Sequence, residues 1–318
     1  MKTSFTIIAT LALGGCAAEG VITPPGDEDL VGLESEQEEF LSGSPRLDVF
    51  VMDNVATRNA VVTFHRANNG TLSARDTYPT GGLGSGGGLG SQGSLVLSDD
   101  GRSLYVVNAG SSEISSFEVR NGFLVLRDIV ASGGVHPISL TVHDDLLYVL
   151  NAGDETAAAN ISGFVRDDGL LTAIPDSTRP LSGAAVAPAQ VGFNPYGDVL
   201  VVTEKATNNL TTYVVDSDGT ASDPIVTPSH GQTPFGFSFD DSGTLVVSEA
   251  FGGAPGASAL SSYALGDDGI PLLISGSVPT GQTAACWVAI SSNSRFAYTT
   301  NTASDSVSGY AIGYGGVI

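Results

Sequence analysis

The sequence is short of positive charge. Its 318 residues include 12 Lys and Arg against 34 Asp and Glu, a formal net charge of −22. Such a surface repels phosphate backbones and anionic headgroups, so nucleic acid is excluded as a partner. Lysine occurs only at positions 2 and 205, and cysteine only at Cys16 and Cys286, too few for a disulfide framework. No apolar run is long enough to span a bilayer as a helix. No stretch repeats its apolar residues every 3.6 positions. Several signatures are missing: GK[ST], HExxH, GxSxG, and any Cys/His cluster with zinc spacing. A glycine run does contain Gly82-x-Gly84-x-x-Gly87, but a strand follows where a dinucleotide site needs a helix. No cofactor and no metal is expected.

Glycine, by contrast, is abundant, with 41 residues. It falls at regular intervals among short apolar runs, the pattern of many short strands joined by tight turns. The runs repeat. One strand ends in an amide or a carboxylate: FVMDN (50–54), LYVVN (104–108), LYVLN (147–151), VVTE (201–204), VVSE (246–249) and YTTN (298–301). A later strand centres on Phe64, Phe117, Phe164, Tyr213, Tyr263 and Tyr310, which lie 53, 47, 49, 50 and 47 residues apart. In the second module, strand A (94–98) turns at Asp99-Asp100-Gly101 into strand B (104–108), and a loop leads to strand C (114–119). Asn121-Gly122, a two-residue hairpin signal, then turns into strand D (123–128). Asp167-Asp168-Gly169, Asp218-Gly219 and Asp267-Asp268-Gly269 repeat the second turn. Asp at every hairpin is turn chemistry rather than calcium ligation. Repeated four-stranded antiparallel units make an all-β protein, a β-propeller of six visible blades over residues 47–318. The first module has no strand A, and the sixth has only a stub of strand D.

Ahead of the repeats, Met1-Lys2 and the apolar run 5–13 form a leader, followed by Leu13-Gly14-Gly15-Cys16. Residues 1–15 resemble a bacterial lipoprotein signal peptide, with Cys16 the residue that carries the lipid. Residues 16–46, rich in Gly, Pro, Asp and Glu, make an acidic tether. The expected location is the bacterial envelope, facing the periplasm or on the outer membrane, with the lipid the only membrane contact. An ordinary secretory signal cut nearby is the alternative.

SQGSLVLSDDGRSLYVVNAGSSEISSF (91–117), VHPISLTV (135–142), TEKATNNLTTY (203–213) and TPFGFSFDDSGTLVVSEA (233–250) resemble the bacterial lactonase-family propellers. These are the seven-bladed relatives of 6-phosphogluconolactonase and of the carboxymuconate cyclase. The resemblance covers about residues 47–312. It implies seven blades where six are visible, so either one C-terminal repeat is missing or the ring closes imperfectly. It also implies a site at the channel mouth, where loops from several blades converge.

The candidates at that mouth follow from the repeat. The polar residue closing strand B is Asn in most modules, including Asn108, Asn151 and Asn301, and reads as a loop cap that could also contact a ligand. Glu204 and Glu249 depart from the pattern. A carboxylate can take a proton from water, whereas an amide cannot. His136, aimed by Pro137, stands where strand A of the third module begins. The resemblance pairs a histidine with a glutamate at the mouth, so His136 and Glu204 are the expected acid (or electrophile) and base for opening or closing a lactone. Glu249, Lys205, His230 and Gln190 are the further binding candidates, whereas His65, His143 and Cys286 are expected to be solvated or packed. No arginine falls in the B–C loops of modules two to six, which argues against a phosphorylated or polycarboxylate substrate there. Two other readings stand: a propeller that binds a small molecule or protein without turnover, and a metal-dependent gluconolactonase-type hydrolase. A monomer is expected.

Overall fold

The computed structural model describes residues 48–318 and the backbone of residues 7–8. The leader, Cys16 and the tether otherwise lie outside the described residues. Within them the protein is all-β, with three short 3-10 turns and no α-helix.

Six antiparallel sheets follow one another around an axis, each meandering from its inner to its outer strand. Blade 2 comprises Leu95–Leu97, Ser103–Asn108, Glu113–Arg120 and Phe123–Ala131. Blade 3 comprises Pro137–His143, Leu146–Asn151, Asn160–Asp167 and Leu170–Ala173, with Arg179–Pro180 added beside its third strand. Blade 4 runs through Pro188–Phe193, Val199–Glu204, Asn209–Val214 and Ile225–Pro228. Blade 5 runs through Pro234–Phe239, Leu245–Glu249, Ala259–Leu265 and Pro271–Pro279.

The end blades differ. Blade 1 has three antiparallel strands, Asp48–Met52, Ala60–Arg66 and Leu72–Pro79, with Ile7–Ile8 pairing in parallel against the first. Blade 6 has three strands, Ala285–Ile290, Phe296–Asn301 and Ser306–Ala311. The sequence repeat is one residue out of register in blade 1. Val49 lies opposite Phe64 as Leu104 lies opposite Phe117, so Asp53, not Asn54, matches Asn108.

The hairpin turns do two jobs. Asn121 and Gly122 have φ of 53° and 82°, and Asp168 and Gly169 have 45° and 83°, the left-handed pair that a two-residue hairpin needs. The turn glycines also present carbonyls to the preceding blade. Ser116 donates to Gly169 O, Tyr148 Oη to Gly219 O at 2.6 Å, and Thr212 to Gly269 O at 2.8 Å. The seams between blades 2 and 3, 3 and 4, and 4 and 5 are thus pinned at their outer ends by a bond from one blade to the next turn.

Strand B of blades 2 to 5 is buried almost throughout, and its alternate residues face the next blade. Tyr105, Tyr148, Val201 and Val246 face the next blade and are inaccessible to solvent. Blade 6 has no next blade against it among the described residues, and there Phe296 is 39% and Tyr298 43% exposed. Packing therefore predicts an asymmetry within one repeat position. Tyr148→Ala should cost roughly 3–5 kcal/mol in urea unfolding, and Tyr298→Ala no more than about 1 kcal/mol. Equal losses at the two positions would contradict blade-on-blade burial as the main source of stability.

Candidate functional site at the channel mouth

Strand A begins and strand B ends at the same end of the channel. In five blades the residue at the start of strand A has a left-handed backbone: Gly93 (φ 83°), His136 (59°), Ala187 (47°), Thr233 (57°) and Ala284 (57°). In four of them its carbonyl accepts from the residue just beyond strand B. These bonds are Ala152 N to His136 O at 2.9 Å, Lys205 N to Ala187 O at 3.1 Å, Ala250 N to Thr233 O at 3.0 Å, and Thr302 N to Ala284 O at 3.0 Å. The left-handed residue is the bulge that lets the chain enter the channel, and the register of strands A and B shifts there. It costs a non-glycine residue about 1 kcal/mol.

Of these five residues His136 alone can titrate. It is half-buried, and its imidazole makes no hydrogen bond to the described residues. Its backbone N–H donates to Ser112 Oγ at 3.3 Å, which fixes the ring beside the B–C loop of blade 2. Burial lowers the imidazole pKa below the usual histidine range, with the Asp154 carboxylate opposing the shift. The ring is therefore neutral near pH 7 and has a lone pair to offer. The same shift ties stability to pH. The unfolded chain binds the proton more readily than the folded one, so His136 lowers stability as pH falls below about 6.5. That loss levels off once pH is below the folded pKa.

The glycine run lies across this mouth. Gly84 N donates to Val55 O and Gly110 N to Leu83 O, which holds the run on the B–C loops of blades 1 and 2. A side chain on Gly84 would meet the Asn54 carbonyl at 2.3 Å. Farther along, Lys205 Nζ lies 4.7 Å from the centre of the Phe235 ring and donates to Gly90 O at 2.6 Å. Trp287 Nε1 donates to Ser91 O at 3.1 Å. Gln92 then reaches blade 6: its amide donates to Val288 O and accepts from Val288 N, both at 3.0 Å. Gln190 does the same between blades 4 and 5, donating to Phe237 O at 3.0 Å and accepting from Phe237 N at 2.8 Å. Strand A is the inner edge of its sheet, and an unpaired edge in a channel needs partners. These two glutamines supply them. Gln190 is thus nearly buried and engaged with backbone, and Gln92 and Trp287 join the centre although nothing in the repeat singled them out.

The polar residues closing strand B form a buried clasp. Asn108 donates to Ser115 at 2.7 Å and accepts from Thr80 at 2.7 Å and Asn59 at 2.9 Å. Asn151 donates to Asn160 at 2.9 Å, and Asn301 to Ser308 at 2.9 Å. Glu204 is 0% exposed and accepts four bonds: from Ser182 N at 3.0 Å, Thr211 at 2.6 Å, Thr207 at 2.7 Å, and the Ser182 hydroxyl. Glu249, equally buried, accepts from Gly231 N at 2.9 Å, Ser261 at 2.5 Å and Ser277 at 2.7 Å. Each clasp ties the end of strand B to strand C, and the glutamates also reach the segment leading into strand A. An acceptor-only carboxylate fits blades 4 and 5 because every neighbour there is a donor. Neither expected glutamate is exposed to solvent, whereas His136 and Lys205 are both half-buried.

His65 is exposed on strand C of blade 1, and His230 is exposed in the segment before blade 5. His143 accompanies Phe193 in the seam between blades 3 and 4, with a ring nitrogen 3.2 Å from Pro195 O. Cys286 is buried, and its sulfur accepts from the Thr302 hydroxyl at 3.2 Å. Among the described residues no three His, Cys, Asp or Glu side chains converge as metal ligands.

Residues 49–186 match the family described as Lactonase, 7-bladed beta-propeller. Over those residues, less than half of the chain, it is similar to the lactonase-family propellers. No curated protein matches it significantly. Among solved structures, a candidate 6-phosphogluconolactonase of Bacteroides fragilis is 14% identical, with TM-score 0.66 over 86% of this chain and 79% of that one. Its counterpart from Bacteroides uniformis is 13% identical, with TM-score 0.63 over 85% and 79%. The periplasmic gluconolactonase of Pseudomonas aeruginosa is 16% identical, with TM-score 0.62 over 86% and 80%. At these identities the likeness is one of fold.

Proposed function

We propose that this lactonase-type propeller hydrolyses a lactone ring at its channel mouth, with His136 as the group that moves the proton. The observation that carries the proposal is the half-buried imidazole of His136, which has no hydrogen-bond partner among the described residues and sits on a left-handed backbone. Ester hydrolysis needs a base with a pKa near or below the working pH. Neutral His136 takes a proton from water as the water oxygen bonds to the lactone carbonyl carbon. The imidazolium then returns that proton to the ring oxygen as the acyl C–O bond breaks, leaving a hydroxy acid. Lys205 attracts the carbonyl oxygen or a substrate hydroxyl.

Glu204 and Glu249 hold the loops that present these groups, and they act on the reaction through position. The family match and the fold likeness to proteins described as gluconolactonases support a lactone as the substrate. Export and a lipid on Cys16 belong to the same proposal, since sugar lactones form outside the cytoplasm as well as within it. Incubating the protein with sugar δ- and γ-lactones and titrating the acid released tests the reading. Release no faster than the spontaneous rate on every lactone would leave the ligand-binding alternative in its place.

A further inference from the structure

One cavity among the described residues is not at the mouth. It lies at the opposite end of the strands, in the seam between blades 2 and 3, and has a volume of about 500 Å³. Its walls are the A–B turn of blade 2 (Asp100, Arg102), the start of strand B (Tyr105), the end of strand C (Glu118) and the C–D turn of blade 3 (Arg166, Asp168). A pocket of that volume holds a molecule of sugar-acid size.

Charge gathers there against the character of the chain. Arg120 bonds Glu118 at 2.6 Å, and Arg127 lies 3.7 Å from Glu118 and 3.6 Å from Asp168. Those two arginines neutralise two of the carboxylates. The third carboxylate, Asp100, accepts at one oxygen from Ser98 at 2.6 Å and from Arg102 N at 3.0 Å. Arg102 and Arg166 form no salt bridge among the described residues, although, after the Ser98 hydrogen bond, the charge of each helps to hold the Asp100 carboxyl below its usual range. Arg166 is nonetheless held in place: its Nε donates to Asp144 O and its Nη1 reaches Tyr105 Oη at 3.5 Å. Two guanidinium groups, Arg102 and Arg166, line the cavity with three carboxylates, of which Glu118 and Asp168 are paired with arginines from outside it, in a protein whose net charge is −22.

We propose that this seam is a second binding site, specific for a small oxyanion, either a carboxylate or a phosphate ester on a sugar-sized body. Arg166, fixed by its carbonyl and phenol contacts, presents its remaining N–H groups as a preformed fork, and Arg102 closes on the other side. The inference is independent of the lactonase reading, because no mouth residue takes part.

Calorimetric titration of the purified protein with inorganic phosphate and, separately, with gluconate tests it. The expected result is saturable binding of at least one probe. Arg102→Ala, at an exposed side chain, should weaken binding about tenfold or more, and Arg166→Lys should do likewise. Lys205→Ala, at the mouth, should leave the affinity unchanged. No saturable binding of either probe by the wild type would overturn the proposal. So would binding that survives Arg102→Ala and is lost with Lys205→Ala. Lactone turnover measured on the same preparations shows separately whether the mouth is active.

Discussion

His136→Asn should lower kcat/KM for lactone hydrolysis by roughly 10²–10⁴-fold while leaving the urea midpoint close to that of the wild type. Asparagine is chosen because it tolerates the left-handed backbone that position 136 requires (φ 59°). His136→Gly makes the complementary case. It removes the left-handed penalty, so stability should rise by about 1 kcal/mol while activity falls as far as in the Asn variant. Ala187, Thr233 and Ala284 share this strained backbone, so the strain belongs to the fold. What is particular to blade 3 is the imidazole placed on it. An Asn variant with wild-type turnover would remove His136 from the chemistry.

The second large effect is on stability. Glu204→Ala deletes the acceptor of four hydrogen bonds in a site closed to solvent and strands the Ser182, Thr207 and Thr211 donors. An unpaired buried donor costs about 1–3 kcal/mol, so the variant should lose roughly 3–5 kcal/mol, with a fall in Tm of about 10 °C. Glu204→Gln separates the two roles that a glutamate could have here. As a clasp, it needs acceptors on both arms. The amide nitrogen then opposes a donor, so stability falls while turnover per folded molecule stays within about threefold of wild type. As a general base, the Gln variant would fold well and fail to turn over. Thermal melts paired with rates corrected for folded fraction distinguish these outcomes.

Much of the architecture was legible in the sequence because propeller repeats write their turns and their aromatic positions openly. Phe117, Phe164, Tyr213 and Tyr263 all fall on strand C, and Asn121-Gly122 and Asp168-Gly169 make the hairpins that their residue types imply. Blade 1 slipped by one residue because FVMDN offers two polar residues, and only pairing across the sheet shows that Asp53 is the counterpart of Asn108.

The site was harder to read. Glu204 and Glu249 stood out as departures from Asn, and a lone carboxylate among amides invites a chemical role. Part of the opposite signal was present. Asn108 and Ser115, Glu204 and Thr211, and Asn301 and Ser308 are each seven residues apart and hydrogen-bonded, so the hydroxyl partner travels with the clasp whichever acid or amide fills it. What no spacing could show is the convergence of Ser182 and Thr207 on Glu204, or the path of the glycine run over the mouth. Gln92 meets Val288 and Trp287 meets Ser91 across 196 positions of sequence. Such contacts depend on ring geometry rather than on any local pattern.

The account turns on a neutral imidazole at the mouth, and a pH–rate profile addresses it most directly. With glucono-δ-lactone as substrate and spontaneous hydrolysis subtracted, kcat/KM for the wild type should rise with pH along an acid limb. The midpoint of that limb should lie below about 6.5, because burial lowers the His136 pKa. The limb should be absent from the residual activity of His136→Asn. A profile whose acid limb persists unchanged in that variant would place the essential base elsewhere and contradict the account.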